Sequence, residues 1–217
     1  MVEVSKGTDP LLKRAFSLFR FTNGTLQILY RVRGKGTKLL GDLKEGAELD
    51  MLGPLGNFYP LPSAEQTPLI IAGGIGIASV FSLVERLSGR AIVFYGARTK
   101  DDLLMLEEVR RNAREVVVST DDGSAGARGT IADALSAFLS NPQSPTPNYC
   151  MYACGPHLLL QAITKTARKY RIRTHVSMEE HMACGIGSCL GCVVKTHEGY
   201  KRVCKEGPVM NAMEIAW

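Results

Sequence analysis

Among the 217 residues, no run of 18 apolar residues occurs, so no segment is expected to cross a membrane as a helix. The opening stretch, residues 1–10, lacks the apolar core of a secretory signal, and the chain is expected to be cytoplasmic. No block of five or more like charges appears, the formal net charge is only +5, and the basic residues are scattered. Nucleic acid is therefore not expected as a partner. Histidine occurs four times, and no Ser-His-Asp ordering or paired-carboxylate motif stands out. Repeats and low-complexity tracts are absent too. What remains, 45% hydrophobic and 22% charged residues, is ordinary for a globular protein of one large or two modest domains.

Cysteine and glycine are present in number. Six cysteines in a cytoplasmic chain argue against a disulfide framework and for metal or catalytic use. Cys184, Cys189, Cys192 and Cys204 follow the spacing C-x4-C-x2-C-x11-C. Zinc sites typically use two close pairs, whereas here the first gap is four and the last thiol is alone. The spacing is that of plant-type [2Fe–2S] ligands. Gly185, Gly187 and Gly191 suit tight turns whose amides donate to cluster sulfurs and ease reduction. Lys195, Lys201, Arg202 and Lys205 lie close in sequence; they either assist electrostatically or form a solvated basic face. Zinc remains an alternative, as does ligation by His181 or His197 beside the loop.

Three segments differ in texture. Residues 1–62 read as short β-like runs, with a hairpin at Asn23-Gly24 and a further strand between Gly46 and Gly53. Residues 63–173 alternate strands (69–73, 91–96, 115–120, 149–154) with helices (78–87, 101–112, 130–139, 156–170), which predicts a doubly wound parallel sheet. Residues 174–217 are expected to form a small cysteine-bearing module.

The second segment opens with an apolar strand, then Gly73, Gly74 and Gly76, then a helix. Glycines there let the backbone approach a pyrophosphate, and a side chain at Gly76 is expected to fill that space. The dinucleotide fingerprint is partial, because Ser79 replaces the third glycine and no acidic residue ends the next strand. A purely structural turn would explain it equally well. Cys154-Gly155-Pro156 ends the last predicted strand, placing a thiol at the carboxyl edge of the sheet, where such folds bind ligands. A buried core cysteine is the alternative. Asp121-Asp122-Gly123 reads as a turn after a strand.

The runs Arg14–Ser17, Leu29–Thr37, "LGPLG", "AGGIGIAS", "YACGP" and the cysteine tail together resemble the electron-transfer subunits of class 1B dihydroorotate dehydrogenases, within the ferredoxin-reductase-like flavoproteins. The resemblance covers essentially the whole chain. It implies an FAD-binding β-barrel, a NAD-binding α/β domain and a [2Fe–2S] module. It also implies that Arg14, Ala15, Phe16 and Ser17 hold FAD, with Arg14 on phosphate and Ser17 on the isoalloxazine. Leu29, Tyr30 and Arg31 would lie along the FAD, and Gly36 and Thr37 would bind its pyrophosphate. Gly73, Gly74, Gly76, Cys154, Gly155 and Pro156 would flank the nicotinamide cofactor, and the four tail cysteines would ligate the cluster. Arginine supplies fixed, charge-assisted donors to phosphate, and Phe16 and Tyr30 can stack on a ring or simply fill a core. Two departures stand out: family members carry some forty further residues before the arginine motif, so the start is misassigned, the chain is a fragment or the barrel is reduced, and Ala15 replaces a usual proline.

The implied activity is electron transfer between NAD(H), FAD and the cluster, exchanged with an FMN-bearing dihydroorotate dehydrogenase subunit, in a heterotetramer, for pyrimidine synthesis. Nicotinamide gives two electrons at once and the cluster takes one, so flavin belongs between them. Rival readings are a reductase subunit of a sulfide dehydrogenase, ferredoxin:NADP oxidoreductase or hydrogenase, and a zinc-stabilised regulator without enzymatic activity.

Overall fold

The computed structural model describes residues 1–141 and 148–217. Its first sixty residues contain little regular structure. β1 (Arg20–Thr22) and β2 (Thr25–Gln27) form the expected hairpin. Asn23 and Gly24 both take positive φ, 52° and 76°, as the tight turn that matches strand twist requires. Beyond Gln27 the chain leaves the ladder, and α1 (Lys35–Gly41), which the pattern did not announce, follows. The strand expected between Gly46 and Gly53 is reduced to one bridge, Met51 opposite Val2, and Val2 also bridges Arg14. Apolar alternation favours extended backbone, but a ladder forms only where a neighbour offers its amides. No closed barrel forms among the described residues.

From residue 67 onward the alternation is realised. The elements are β3 (Thr67–Gly73), α2 (Ile77–Leu87), β4 (Ile92–Ala97), α3 (Leu106–Asn112), β5 (Glu115–Thr120), β6 (Ala127–Arg128), α4 (Ile131–Ser140), β7 (Tyr149–Cys154), α5 (His157–Tyr170) and β8 (Arg173–Ser177). β9 (Val193–Thr196) pairs antiparallel with β10 (Gly199–Arg202), and β11 (Val209–Asn211) runs antiparallel beside β8. The sheet order is β11-β8-β7-β3-β4-β5-β6, with β3 to β8 parallel. Leu69 and Ile71 of β3 pack under α4 and α5, while Ile70 and Ala72 pack under α2 and α3. Burial on both faces explains why these strands read as unbroken apolar runs.

α3 begins at Leu106, not at 101 as the pattern suggested. Residues 100–102 form a separate 3-10 turn, and Met105 is left-handed at φ 58°. The buried Tyr95 hydroxyl donates to the Leu104 carbonyl at 3.1 Å and fixes that break. The boundary expected between 173 and 174 falls inside β8, which continues the main sheet.

The first segment is fastened to α2. Phe19 stacks on Phe81 at 4.5 Å, and Arg20 binds Glu85 of α2 and Glu108 of α3, both at 2.7 Å. Strand order then places the functional edge. The chain moves outward from β3 to β4, β5 and β6, then returns to β7 on the other side of β3. The carboxyl ends of β3 and β7 thus flank the topological switch point, where open α/β sheets bind ligands.

Candidate functional site

At that switch point the βα turns after β3 and β7 interlock. A Cβ on Gly76 would lie 2.4 Å from the Cys154 carbonyl oxygen, and one on Gly73 would lie 2.6 Å from Leu159 and 2.9 Å from Pro156. A Cβ on Gly155 would come within 3.0 Å of the Gly73 Cα. The absent side chain of Gly76 is therefore accounted for by turn-against-turn contact. Gly74 is different: its φ is +52°, and a Cβ there would project into open space.

Behind the turns lies a set of polar side chains that sequence spacing did not bring together. The Tyr59 hydroxyl is 3.4 Å from Ser79 Oγ and donates to the Ala153 carbonyl at 3.4 Å. Ser79 Oγ donates to Ser177 Oγ at 3.2 Å, and Cys154 Sγ lies 3.7 Å from Glu179 Oε1. Cys154 is fully buried, and burial, assisted by the nearby Glu179 carboxylate, pushes its thiol up to about 12. Burial likewise raises Tyr59 well above the ordinary tyrosine range. Both are neutral at physiological pH. Ser79 was visible as the departure from the glycine fingerprint; Tyr59, Ser177 and Glu179 carried no signal because they come from two stretches more than 100 residues apart.

The cysteine loop supplies the second centre. Gly185, Gly187 and Leu190 all take positive φ, 73°, 82° and 57°, and curl the backbone around its own sulfurs. Cys189 N–H donates to Cys184 Sγ at 3.5 Å, and Cys204 N–H donates to Cys192 Sγ at 3.4 Å. Backbone N–H groups of Cys189, then Ile186, hold Cys184 down at about 6, whereas burial pushes Cys204 up to about 11. No three His, Cys, Asp or Glu side chains among the described residues converge as a single-ion site would require. A [2Fe–2S] cluster asks for two ligands per iron. Two thiol pairs on an amide-lined loop fit that demand better than they fit zinc. Cys150 and Cys154 lie apart, in β7.

A Cβ on Gly185 would meet Met1 and, at 3.0 Å, Leu55, so the ligand loop sits directly on the first segment. Asn57 staples the turn that carries Cys204: Nδ2 donates to the Glu206 carbonyl at 2.9 Å and Oδ1 accepts from Val209 N–H at 2.9 Å. Its own N–H reaches the Gly207 carbonyl at 2.7 Å.

One cleft of about 2590 Å³ joins these parts. Typical single-ligand pockets span ~300–1,000 Å³, so there is room for more than one. Ala15, Phe16, Ser17, Leu29, Tyr30, Arg31 and Thr37 line it on one side, Gly73, Gly74, Gly76, Gly155 and Pro156 on another, and Cys204 at a third. Arg14, Gly36 and Cys154 lie outside this lining, as do Cys184, Cys189 and Cys192. A Cβ on Gly36 would fall 2.7 Å from Arg14 Nε, so this glycine lets the arginine cross α1. Phe16 and Tyr30 are neighbours at 5.5 Å. The Thr37 hydroxyl accepts from the N–H groups of Arg33 and Gly34, and Arg31 binds Asp102 at 2.6 Å across the cleft. Asp121 also faces the cleft, while Asp122 accepts from Ser124 in the turn.

Solved structures with the same arrangement place the fold among ferredoxin reductases. The structure described as NADH-dependent reduced ferredoxin-NADP oxidoreductase superposes with a TM-score of 0.82 at 28% identity, over 95% of this chain and 75% of that one. The ferredoxin reductase in carbazole 1,9a-dioxygenase gives 0.62 at 24% identity, over 76% and 55%. Residues 70–165 match the oxidoreductase NAD-binding domain, and residues 179–216 match the iron–sulfur cluster binding domain of dihydroorotate dehydrogenase B. The chain belongs to the family of electron transfer subunits of dihydroorotate dehydrogenase B (NAD(+)). The relative from Desulforamulus reducens is 36% identical over all of this chain and 84% of its own length, and that from Clostridium acetobutylicum is 34% identical over 95% and 80%.

Proposed function

We propose that this chain carries electrons between NAD(H), FAD and a [2Fe–2S] cluster, and exchanges them with the catalytic subunit of dihydroorotate dehydrogenase B. The observation that carries the reading is the single cleft on which Phe16 and Tyr30, Gly74 and Gly155, and Cys204 all open. When bound, flavin supplies the exchange between two-electron and one-electron chemistry that nicotinamide and the cluster cannot make directly. The residues of the chain orient and insulate. Arg14 offers a charged donor toward flavin phosphate, and Ala15, Phe16, Ser17, Leu29, Tyr30 and Arg31 form the wall along which FAD lies. Gly36 and Thr37 contribute backbone at its pyrophosphate. Gly74 leaves the nicotinamide nucleotide free approach, while Gly73, Gly76, Gly155 and Pro156 keep the two turns close enough to present it. Cys154, neutral and backed by Glu179, stays buried behind the turns and adds no charge there. Cys184, Cys189, Cys192 and Cys204 hold the cluster.

The partner bears FMN and the assembly is a cytoplasmic heterotetramer in this reading. Exposed Ile186 and Leu190 at the tip of the ligand loop, 56% and 60% accessible, suit a docking face beside the exit. No helix among the described residues is long and apolar enough to cross a membrane. The TM-score of 0.82 favours a second reading, a reductase subunit of a ferredoxin-NADP oxidoreductase; the subunit that co-purifies decides between them. The primary test is a visible and EPR spectrum of protein purified without oxygen, for the native chain and Cys204→Ser. Flavin absorbance in both, with the reduced-cluster signal lost or altered only in the variant, is expected. An unchanged signal in Cys204→Ser would remove that ligand, and a colourless native protein would remove the whole reading.

A further inference from the structure

Four thiols account for ligation, but they leave Arg202 without a role. This residue ends β10 and sits two positions before Cys204. Its Nη1 donates to the Gly187 carbonyl at 3.0 Å, inside the loop between Cys184 and Cys189. Its Nε donates to Glu206 Oε2 at 3.0 Å, and Nη2 donates to Oε1 of the same carboxylate. The Arg202 backbone N–H also donates to Glu206 Oε2, at 2.8 Å, while its carbonyl accepts from Glu206 N–H at 2.9 Å and Lys205 N–H at 3.1 Å. The turn carrying Cys204 is thus closed on itself, and the third arm of the guanidinium reaches the ligand loop. Nearby Lys201 does not compete, because Glu214 and Glu198 hold it. A half-exposed ion pair adds little stability alone, ~0–1 kcal/mol, so its importance lies in what it joins. A planar fork with spare donors is what lysine could not supply.

We propose that Arg202, oriented by Glu206, is a positioning residue for the cluster ligands: it buckles the Cys184–Cys189 loop to the Cys204 turn and keeps a positive charge beside the cluster that favours its reduced form. The proposal rests on the cluster reading above. Hydrogen bonds and charge around cluster sulfurs are recognised determinants of reduction potential. The sign follows from electrostatics. Reduction adds negative charge, so removing the guanidinium makes it harder, and neutralising Glu206 makes it easier.

An EPR-monitored redox titration of the chain in complex with its co-purifying subunit, with dithionite as reductant, tests this. Arg202→Gln is expected to make reduction about tenfold less favourable, a shift of about 59 mV downward for a one-electron couple. Glu206→Gln is expected to move the potential upward. Arg202→Lys is expected to hold the potential near the native value yet lose its iron to a chelator several-fold faster, because the charge stays while the link to Gly187 is gone. Shifts of the same sign in Arg202→Gln and Glu206→Gln, or native potentials in both, would overturn the proposal. If Arg202→Gln assembles no cluster, the upward shift expected for Glu206→Gln and the native potential with faster iron loss expected for Arg202→Lys still decide. Absence of a [2Fe–2S] signal in the native complex would instead overturn the cluster reading itself.

Discussion

A methyl group placed on Gly76 would sit 2.4 Å from a backbone oxygen, while the same group on Gly74 would enter the open cleft. Gly76→Ala is therefore expected to lower stability by ~1–3 kcal/mol through overpacking, as read by urea unfolding. Gly74→Asn tolerates the left-handed backbone and is expected to raise KM for NADH several-fold with little loss of stability. The reverse pattern, a kinetic defect at Gly76 and a folding defect at Gly74, would return the pyrophosphate to Gly76. Cys154 makes a separate prediction. Its folded value near 12 lies above the unfolded thiol value near 9, so the folded state keeps the proton longer. Stability is then fully present below pH 9 and declines as pH rises toward 12. Tyr59, raised by burial in the same way, adds to the decline. Cys154→Ala should make it shallower between pH 9 and 11 in denaturant midpoints.

At the scale of elements, the turn carrying Cys204 has no helix or long strand to stiffen it. β10 ends at Arg202 and β11 begins at Val209, and the intervening residues are held by backbone bonds to the Arg202 carbonyl together with side-chain hydrogen bonds. Asn57 supplies two of these from a segment about 150 residues away. Asn57→Ala leaves a carbonyl and an N–H without their partners, at a cost of ~1–3 kcal/mol locally. Slower cluster reconstitution and faster loss to a chelator are expected, with the sheet domain melting unchanged. Native reconstitution kinetics would show that Arg202 and Glu206 suffice to hold the turn.

For the whole molecule, the decisive feature is that three chain segments meet on one cleft at the switch point beside β3. Hydride donors deliver electrons in pairs and the cluster takes them singly, so neither centre serves the other alone. Flavin-depleted protein should still show a cluster signal with dithionite but none with NADH, and adding FAD should restore the NADH response. A cluster reduced by NADH without flavin would separate the cleft from the electron path.

Much of this was legible in sequence because the information was local. The cysteines stand out by their spacing, three of them on one glycine-rich loop and Cys204 on the turn after β10, and the parallel sheet announces itself through unbroken apolar strands between periodic helices. Asn23-Gly24 made its turn because its conformational preference is intrinsic to those two residues. By contrast, the run between Gly46 and Gly53 failed to become a strand, since a ladder needs a neighbour and the sequence does not say which neighbour is within reach. The reason for Gly76 was equally hidden: only folding brings Cys154 against it. Tyr59, Ser79, Ser177 and Glu179, like Arg202 with Gly187, derive their chemistry from distances of a few ångströms across long stretches of chain. The sequence by itself determined the sheet and marked the candidate ligands, whose signals are periodicity and spacing. Tertiary structure decided which groups face one another across the cleft, because that depends on strand order and on the close fit of turns.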